Sequence, residues 1–179
     1  MKTLETERLI LRPWRPEDID DFFEYARDPE VGPNAGWPPH KDKGMSLNIL
    51  QSFMEKQEVW AIEFKHNNKA VGSVGAHADE KRRGVNGRMI GYVLARKYWG
   101  MGLMTEAVNE MIRYLFEEEK YDIVSCYHYP FNTRSKRVIE KCGFRYEGTL
   151  RQASRILDGK IYDDVCYSII RDEYFAAKV

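Results

Sequence analysis

The run Lys97-Tyr98-Trp99-Gly100-Met101-Gly102-Leu103-Met104-Thr105-Glu106-Ala107 carries the clearest chemical meaning in the chain. Two glycines stand before the most regular helical pattern, where Ser, Thr, Asp or Asn would ordinarily cap the first turn. Without that cap the first N–H groups have no side-chain acceptor, and a residue without Cβ lets a ligand reach the main chain. Open donors at the positive end of a helix form an anion site, suited above all to phosphate. A bare glycine turn from strand to helix is the competing reading of a lone G-x-G, and the surroundings shift the balance to a ligand. Spacing removes two families of phosphate binders. No G-x-x-x-x-G-K-[S/T] run occurs anywhere in the chain. A dinucleotide fingerprint needs a small residue three positions after Gly102 and an acid closing the next strand, where Thr105 and Tyr127-His128 stand instead.

Groups able to move protons or attack carbonyls are fewer. His128 falls at the end of a strand expected to be parallel, where ligands gather in such sheets, so it is a candidate for relaying a proton through water. An ordinary strand-end histidine is the alternative, and His77 is a weaker candidate of the same kind. Cys126, on the same strand, reads as a buried thiol more readily than as a covalent nucleophile. Cys126, Cys142 and Cys166 form no C-x-x-C pair, and His40, His66, His77 and His128 show no H-E-x-x-H spacing, so no metal is expected. Trp37-Pro38-Pro39-His40 is a rigid aromatic surface of the kind that recognises ligands at low entropic cost, which makes Trp37 a candidate substrate contact. Packing of that loop against the domain is an equally good reading.

The elements that must position these groups follow from periodicity. Residues 8–13 alternate as a strand. Pro16, Glu17 and Asp18 then start a helix whose apolar stripe is Ile19, Phe22, Phe23 and Ala26, stopped at Asp28-Pro29. Residues 29–44 are dense in Pro and Gly and read as a functional loop or lid. Leu47, Leu50, Phe53 and Met54 mark a second, shorter helical stripe, and residues 59–65 a strand. Asn67 and Asn68 suit a tight hairpin into a strand over 70–78, and Asn86-Gly87 signals another into a strand over 88–95. Residues 103–116 repeat paired apolar positions every fourth residue, a strongly amphipathic helix. The strand over 122–127 should lie parallel and next to 88–95 across this helix. A helix over 135–142 ends at Gly143, and strands near 144–150 and 163–170, with a turn at Asp158-Gly159, complete the pattern. The expected class is α/β of the α+β type. A single domain carries a mixed, mostly antiparallel sheet of about seven strands, helices on both faces and a central parallel pair.

Composition supports one globular unit over the 179 residues: 43% are hydrophobic and 31% charged, and no repeat or linker interrupts them. Lys plus Arg balance Asp plus Glu at 28 each, so no global field draws in nucleic acid, and any polyanion must be met locally. No apolar run approaches the length of a membrane span, and the charged opening MKTLETERLI lacks a signal-peptide core. A cytoplasmic location with reduced thiols is expected, without nucleic-acid or membrane partners. Oligomeric state is not legible.

Taken together, Thr6-Glu7-Arg8-Leu9-Ile10-Leu11-Arg12, the Tyr98-Trp99-Gly100-x-Gly102 run with Thr105-Glu106-Ala107, and Asn132-x-x-Ser135 through Lys141-Cys142-Gly143-Phe144 resemble the GNAT superfamily of acetyl-CoA-dependent N-acetyltransferases, in its ribosomal-protein RimJ/RimL branch. The likeness spans residues 6–175. The family's diphosphate loop reads [Q/R]-x-x-G-x-[G/A], and here Lys97 holds the first position. Ile139 stands where some members place a tyrosine acid.

The resemblance implies that the two parallel strands splay around acetyl-CoA. Val93, Leu94 and Ala95 would pair with its pantetheine arm, and Gly91 suits a local break there. Lys97, Trp99, Gly100, Met101, Gly102, Leu103, Met104 and Thr105 would wrap the diphosphate. Asn132 would touch the pantetheine, a role that stands beside that of plain N-cap, and Ser135 would lie near the sulfur. Arg134, Lys136 and Arg137 are a basic cluster for the 3'-phosphate, although a solvated helix face accounts for most of them. Direct transfer needs a neutral amine and a proton for the departing thiolate, and Ser135 or the attacking ammonium itself would supply that proton. An α-amine, with a pKa of about 7.7 to 8.0, asks less of a base than a lysine at about 10.4. The expected acceptor is therefore a protein N-terminal α-amine. An amino acid, polyamine or antibiotic is the alternative, and a catalytically silent acyl-CoA-binding module a further one.

Overall fold

The computed structural model describes residues 1–156 and 159–178. Its strands are β1 (Leu4–Glu5), β2 (Leu9–Arg12), β3 (Val59–Phe64), β4 (Lys69–His77), β5 (Gly87–Leu94), β6 (Ile123–His128), β7 (Arg145–Arg155) and β8 (Ile161–Ile170). The helices are α1 (Ile19–Ala26), α2 (Lys43–Lys56), α3 (Leu103–Glu117), α4 (Thr133–Lys141) and α5 (Arg171–Ala176). Sheet order is β1-β2-β3-β4-β5-β6-β8-β7, mostly antiparallel with one parallel pair, β5 and β6. Eight strands replace the expected seven because β1 spans only two residues, too short to show a period. By their internal contacts the residues group into two compact units, Met1–Gly75 with Tyr92–Ala107, and Ala76–Gly91 with Val108–Val179.

In the first unit Leu9 and Leu11 are fully buried, as the alternation of the β2 sequence demands. Pro16 opens a 3-10 turn into α1, and Asp18 there receives two hydrogen bonds from the Arg12 guanidinium at 2.7 and 2.8 Å. Glu63 takes a third from Arg12 Nε at 2.5 Å, so the buried cation is fully paired. Asp42 caps α2 by accepting from the Met45 amide at 2.8 Å, and Gln57 ends it in the left-handed region at φ 53°. Helix α2 runs for 14 residues, with Leu50 of its stripe fully buried and Leu47 exposed. Trp14, Phe22, Tyr25, Ala26, Val31 and Leu50 build the core, against which Trp37, Val93, Ala95 and Trp99 pack. Trp14 follows β2 and is buried.

In the second unit β5 and β6 pair from Gly87↔Ile123 to Ile90↔Cys126, with α3 as the crossover. The left-handed residue of the preceding loop is Gly84, at φ 79°, and not the expected Asn86-Gly87 pair. Gly87 instead lies inside β5, where a Cβ would meet Ile123 Cγ2 at 2.7 Å. Asp79 accepts from Ser125 Oγ at 2.5 Å and Tyr127 Oη at 2.6 Å, and Lys81 pairs with Asp164 at 2.7 Å, which straps residues 79–82 to β6 and β8. Gly143, at φ 81°, ends α4 as expected. Strands β7 and β8 exceed their expected lengths because register shifts between Tyr146 and Gly148, and between Leu150 and Ser154, break the period of two. Of the expected Asp158-Gly159 turn, Asp158 lies outside the described residues. No helix among the described residues is long and apolar enough to cross a membrane.

Candidate active site

In the first unit β5 runs through Val93 and Leu94 to Ala95, then enters a 3-10 turn over Arg96–Tyr98. The Ala95 amide donates to the Val71 carbonyl at 2.8 Å. Gly72 lies so close to β5 that a Cβ on it would sit 2.4 Å from the Val93 carbonyl oxygen. Main-chain groups alternate sides along a strand, so those of Leu94 point away from β4. The Leu94 carbonyl in turn accepts from the Trp99 indole Nε1 at 2.7 Å, which folds the Trp99 ring back against the strand. Of the three expected pantetheine partners, Ala95 has therefore committed its N–H to β4.

Gly100 and Gly102 both adopt φ 78°, a conformation L-residues rarely hold, and they turn the chain into α3. The Glu106 amide donates to the Gly102 carbonyl at 3.1 Å. Residues 102 to 104 thus occupy the opening positions of the helix, whose amides have no carbonyl one turn behind them. Nothing lies within 4 Å of a Cβ built on Gly100. A turn open to approach, with main-chain donors and the positive end of a 15-residue helix, fits a diphosphate. Lys97, exposed, holds its ammonium 5.8 Å from the Tyr98 ring centre, whereas the neighbouring Arg96 is paired with Asp28 at 2.9 Å.

One feature of this loop was not visible in the sequence. Arg8, at the entry to β2, donates from Nη1 to the Met101 carbonyl at 2.9 Å and from Nε to Glu106 Oε2 at 2.7 Å. Glu106 Oε1 also accepts from the Arg8 amide at 2.9 Å and from Thr6 Oγ1 at 2.5 Å. Burial pulls the Glu106 carboxyl upward, but these hydrogen bonds outweigh it and hold the group below its ordinary value. The opening Thr6-x-Arg8 is the only sequence signal, and it gives no hint of a partner in α3.

Trp37 follows a 3-10 turn over Gly32–Ala35. Its ring rests on Gly32, where a Cβ would meet Trp37 Cε3 at 2.4 Å and the Trp37 carbonyl oxygen at 2.7 Å. The His40 ring lies 5.1 Å away, with Nδ1 2.7 Å from Ser46 Oγ, and burial lowers its pKa. The His40 amide donates to the Ala26 carbonyl at 2.9 Å, so the segment expected as a gate is tied to α1.

In the second unit His128 closes β6. Its Nδ1 lies 2.8 Å from the Tyr129 carbonyl, which only accepts, so Nδ1 is the donor of that pair. Nε2 is buried with no hydrogen-bond partner among the described residues, and the ring lies against Tyr167 at 5.7 Å. Asn132 Oδ1 accepts from the Ser135 amide at 3.0 Å, the N-cap geometry of α4. Arg134, Lys136 and Arg137 are exposed on that helix, and Ile139 is fully buried, so no acid stands at its position. Cys126 is buried at 1% exposure.

Residues 8–145 match the acetyltransferase (GNAT) domain. The chain belongs to the GNAT acetyltransferases. The uncharacterized N-acetyltransferase p20 of Bacillus licheniformis is 31% identical over 180 residues, covering 97% of this chain and 99% of its own. The ribosomal protein uS5-alanine N-acetyltransferase of Escherichia coli strain K12 is 23% identical over 168 residues, covering 93% of this chain and 78% of its own. The crystal structure of a GNAT-family acetyltransferase from Bacillus anthracis superposes with a TM-score of 0.87 at 26% identity, covering 96% of this chain and all of that one.

Proposed function

We propose that this GNAT acetyltransferase transfers the acetyl group of acetyl-CoA directly to a protein N-terminal α-amine. The observation that carries the donor half is the left-handed turn at Gly100 and Gly102 opening α3. Its amides, with those of Leu103, Met104 and Thr105, would hold the coenzyme's diphosphate, Lys97 would add a cation, and Leu94 would meet the pantetheine arm. When bound, acetyl-CoA supplies an activated thioester. The remaining chemistry belongs to protons. With Nδ1 of His128 donating to the Tyr129 carbonyl, Nε2 is the ring nitrogen left to exchange a proton by way of water. Ser135, in the first turn of α4, is the group proposed to pass a proton to the departing thiolate while regaining, by way of water, the one His128 took from the amine.

Support for an α-amine comes from two sides. The uS5-alanine N-acetyltransferase aligns with 93% of this chain at 23% identity. An amine with a pKa of about 7.7 to 8.0 is partly neutral near pH 7, whereas a lysine at about 10.4 is almost wholly charged, so an α-amine asks less of any base. Trp37, half-exposed against the aromatic core, is proposed to border the acceptor.

The test is acceptor-dependent release of free CoA thiol across a panel of N-terminal peptides, free amino acids, polyamines and aminoglycosides. Release with peptides alone is the expected result. Preference for a small amine would move the acceptor class, and tight CoA binding without any release would turn the chain into a silent acyl-CoA module. Gly102→Asp sets a carboxylate beside Arg8 and the loop amides, where it competes with phosphate. CoA binding should disappear, and wild-type affinity in that variant would refute the loop assignment.

A further inference from the structure

We propose that Arg8 is the positioning residue for the coenzyme's diphosphate, and that it works by covering Glu106 while aiming a cation at the loop. The inference rests on the donor half of the function proposed above. Arg8 has three nitrogens with distinct tasks. Nε is spent on Glu106 and Nη1 on the Met101 carbonyl. Nη2 faces Gly102, 3.6 Å from where a Cβ on that glycine would sit.

Stability alone does not account for this arrangement, since the Arg8 side chain is 40% exposed and an ion pair so placed contributes little to folding. The position of Glu106 gives it a purpose. This carboxylate stands in the first turn of α3, beside the donors expected to meet phosphate, and uncovered it would repel a second anion there. Arg8 neutralises it and leaves a planar guanidinium edge toward the turn, the geometry that matches phosphate oxygens. Thr6, through its hydroxyl on Oε1, fixes the carboxylate so that both oxygens are occupied. The clamp thereby sets the carbonyl of Met101 away from the ligand and the amides toward it.

Two consequences distinguish this account from a structural tie. Arg8→Gln should weaken CoA about tenfold or more, because a charge-assisted contact is lost and a bare carboxylate is exposed at the same time. Adding Glu106→Gln to Arg8→Gln should restore part of that loss, since the repelling charge goes too. Calorimetric titration with CoA reads the affinities, and pantetheine, which lacks the diphosphate, serves as the control ligand. Turnover of acetyl-CoA against S-acetylpantetheine gives the same comparison in kcat/KM.

The expected pattern is a loss confined to the diphosphate-bearing ligands and partial recovery in the double variant. Equal affinity of wild type and Arg8→Gln, or an equal loss with pantetheine, would overturn the proposal. So would a double variant that binds more weakly than Arg8→Gln. If Arg8→Gln does not fold, Arg8→Lys carries the test: it keeps the charge but cannot hold Glu106 and Met101 together, so several-fold weaker CoA binding is expected and wild-type affinity refutes the clamp. Failure of the wild-type chain to bind CoA at all would instead mark failure of the donor assignment itself.

Discussion

Replacing Gly100 by alanine isolates the contribution of backbone conformation. The residue sits at φ 78° with nothing within 4 Å of a prospective Cβ, so the change introduces no clash. Its effect is the cost of holding an L-residue in the left-handed region, about 1–2 kcal/mol. That energy has two places to appear. If the folded, ligand-free chain keeps the turn, the strain lowers its melting temperature by about 2–8 °C for a protein of this size. If the turn relaxes and re-forms only around the coenzyme, the same energy appears as about 5- to 30-fold weaker CoA binding. The two losses together should total about 1–2 kcal/mol. A thermal melt and a calorimetric CoA titration of Gly100→Ala measure both. No change in either would show that the left-handed turn at Gly100 is not part of the coenzyme site. A loss of affinity beyond about 100-fold in a normally folded variant would show that the new methyl takes space the diphosphate occupies, beyond the cost of the left-handed backbone.

Gly32→Ala should destabilise the chain by about 1–3 kcal/mol through overpacking, because the new methyl would fall on the Trp37 ring and carbonyl; an unchanged melting temperature would refute that packing. All three cysteines are buried, and burial pushes the Cys142 thiol up to about 12 and raises that of Cys166. Ellman's reagent should therefore label the native chain far more slowly than free CoA, and Cys126→Ala should keep acetyl transfer; a rapid protein burst or an inactive, folded variant would contradict this. The clamp on Glu106 lowers its carboxyl pKa in the folded state, so its stabilisation is present above the ordinary glutamate value of about 4.3 and fades as pH falls through the lower folded value. The melting-temperature difference between wild type and Glu106→Gln should hold from pH 7 to about 5 and shrink in stronger acid, and a difference constant to pH 3 would exclude the mechanism.

Much of the frame was legible because local rules dominate it. The paired apolar positions of α3 admit only one buried face, and Leu103, Ala107, Val108, Met111, Leu115 and Phe116 all lie inside. The glycine turn was legible for the same reason, since a missing cap and two left-handed residues are properties of adjacent positions. What escaped depends on residues far apart in the chain. Nothing about Arg8 announces Glu106, which meets it only once β2 and α3 have formed. Asn86-Gly87 is a strong hairpin signal, yet close packing on Ile123 claims Gly87 for β5 and the turn forms at Gly84. The shortened expectations for β7 and β8 have a similar origin, because bulges move side chains to the other face and erase the alternation that marks a strand.

Strand β7 closes the order of the sheet, and nearly all of its eleven residues are exposed. A long outer strand of this kind offers a row of main-chain donors and acceptors to any other extended chain. Here Arg145, Arg151 and Arg155 charge it, Gly148 and Gln152 hold positive φ, and two bulges bend it out of register. These features discourage polymerisation along that margin. Variants meant to improve yield should leave the three arginines and the two bulges in place, for a straight run of β-branched residues there would convert a tolerated border into a template for fibres.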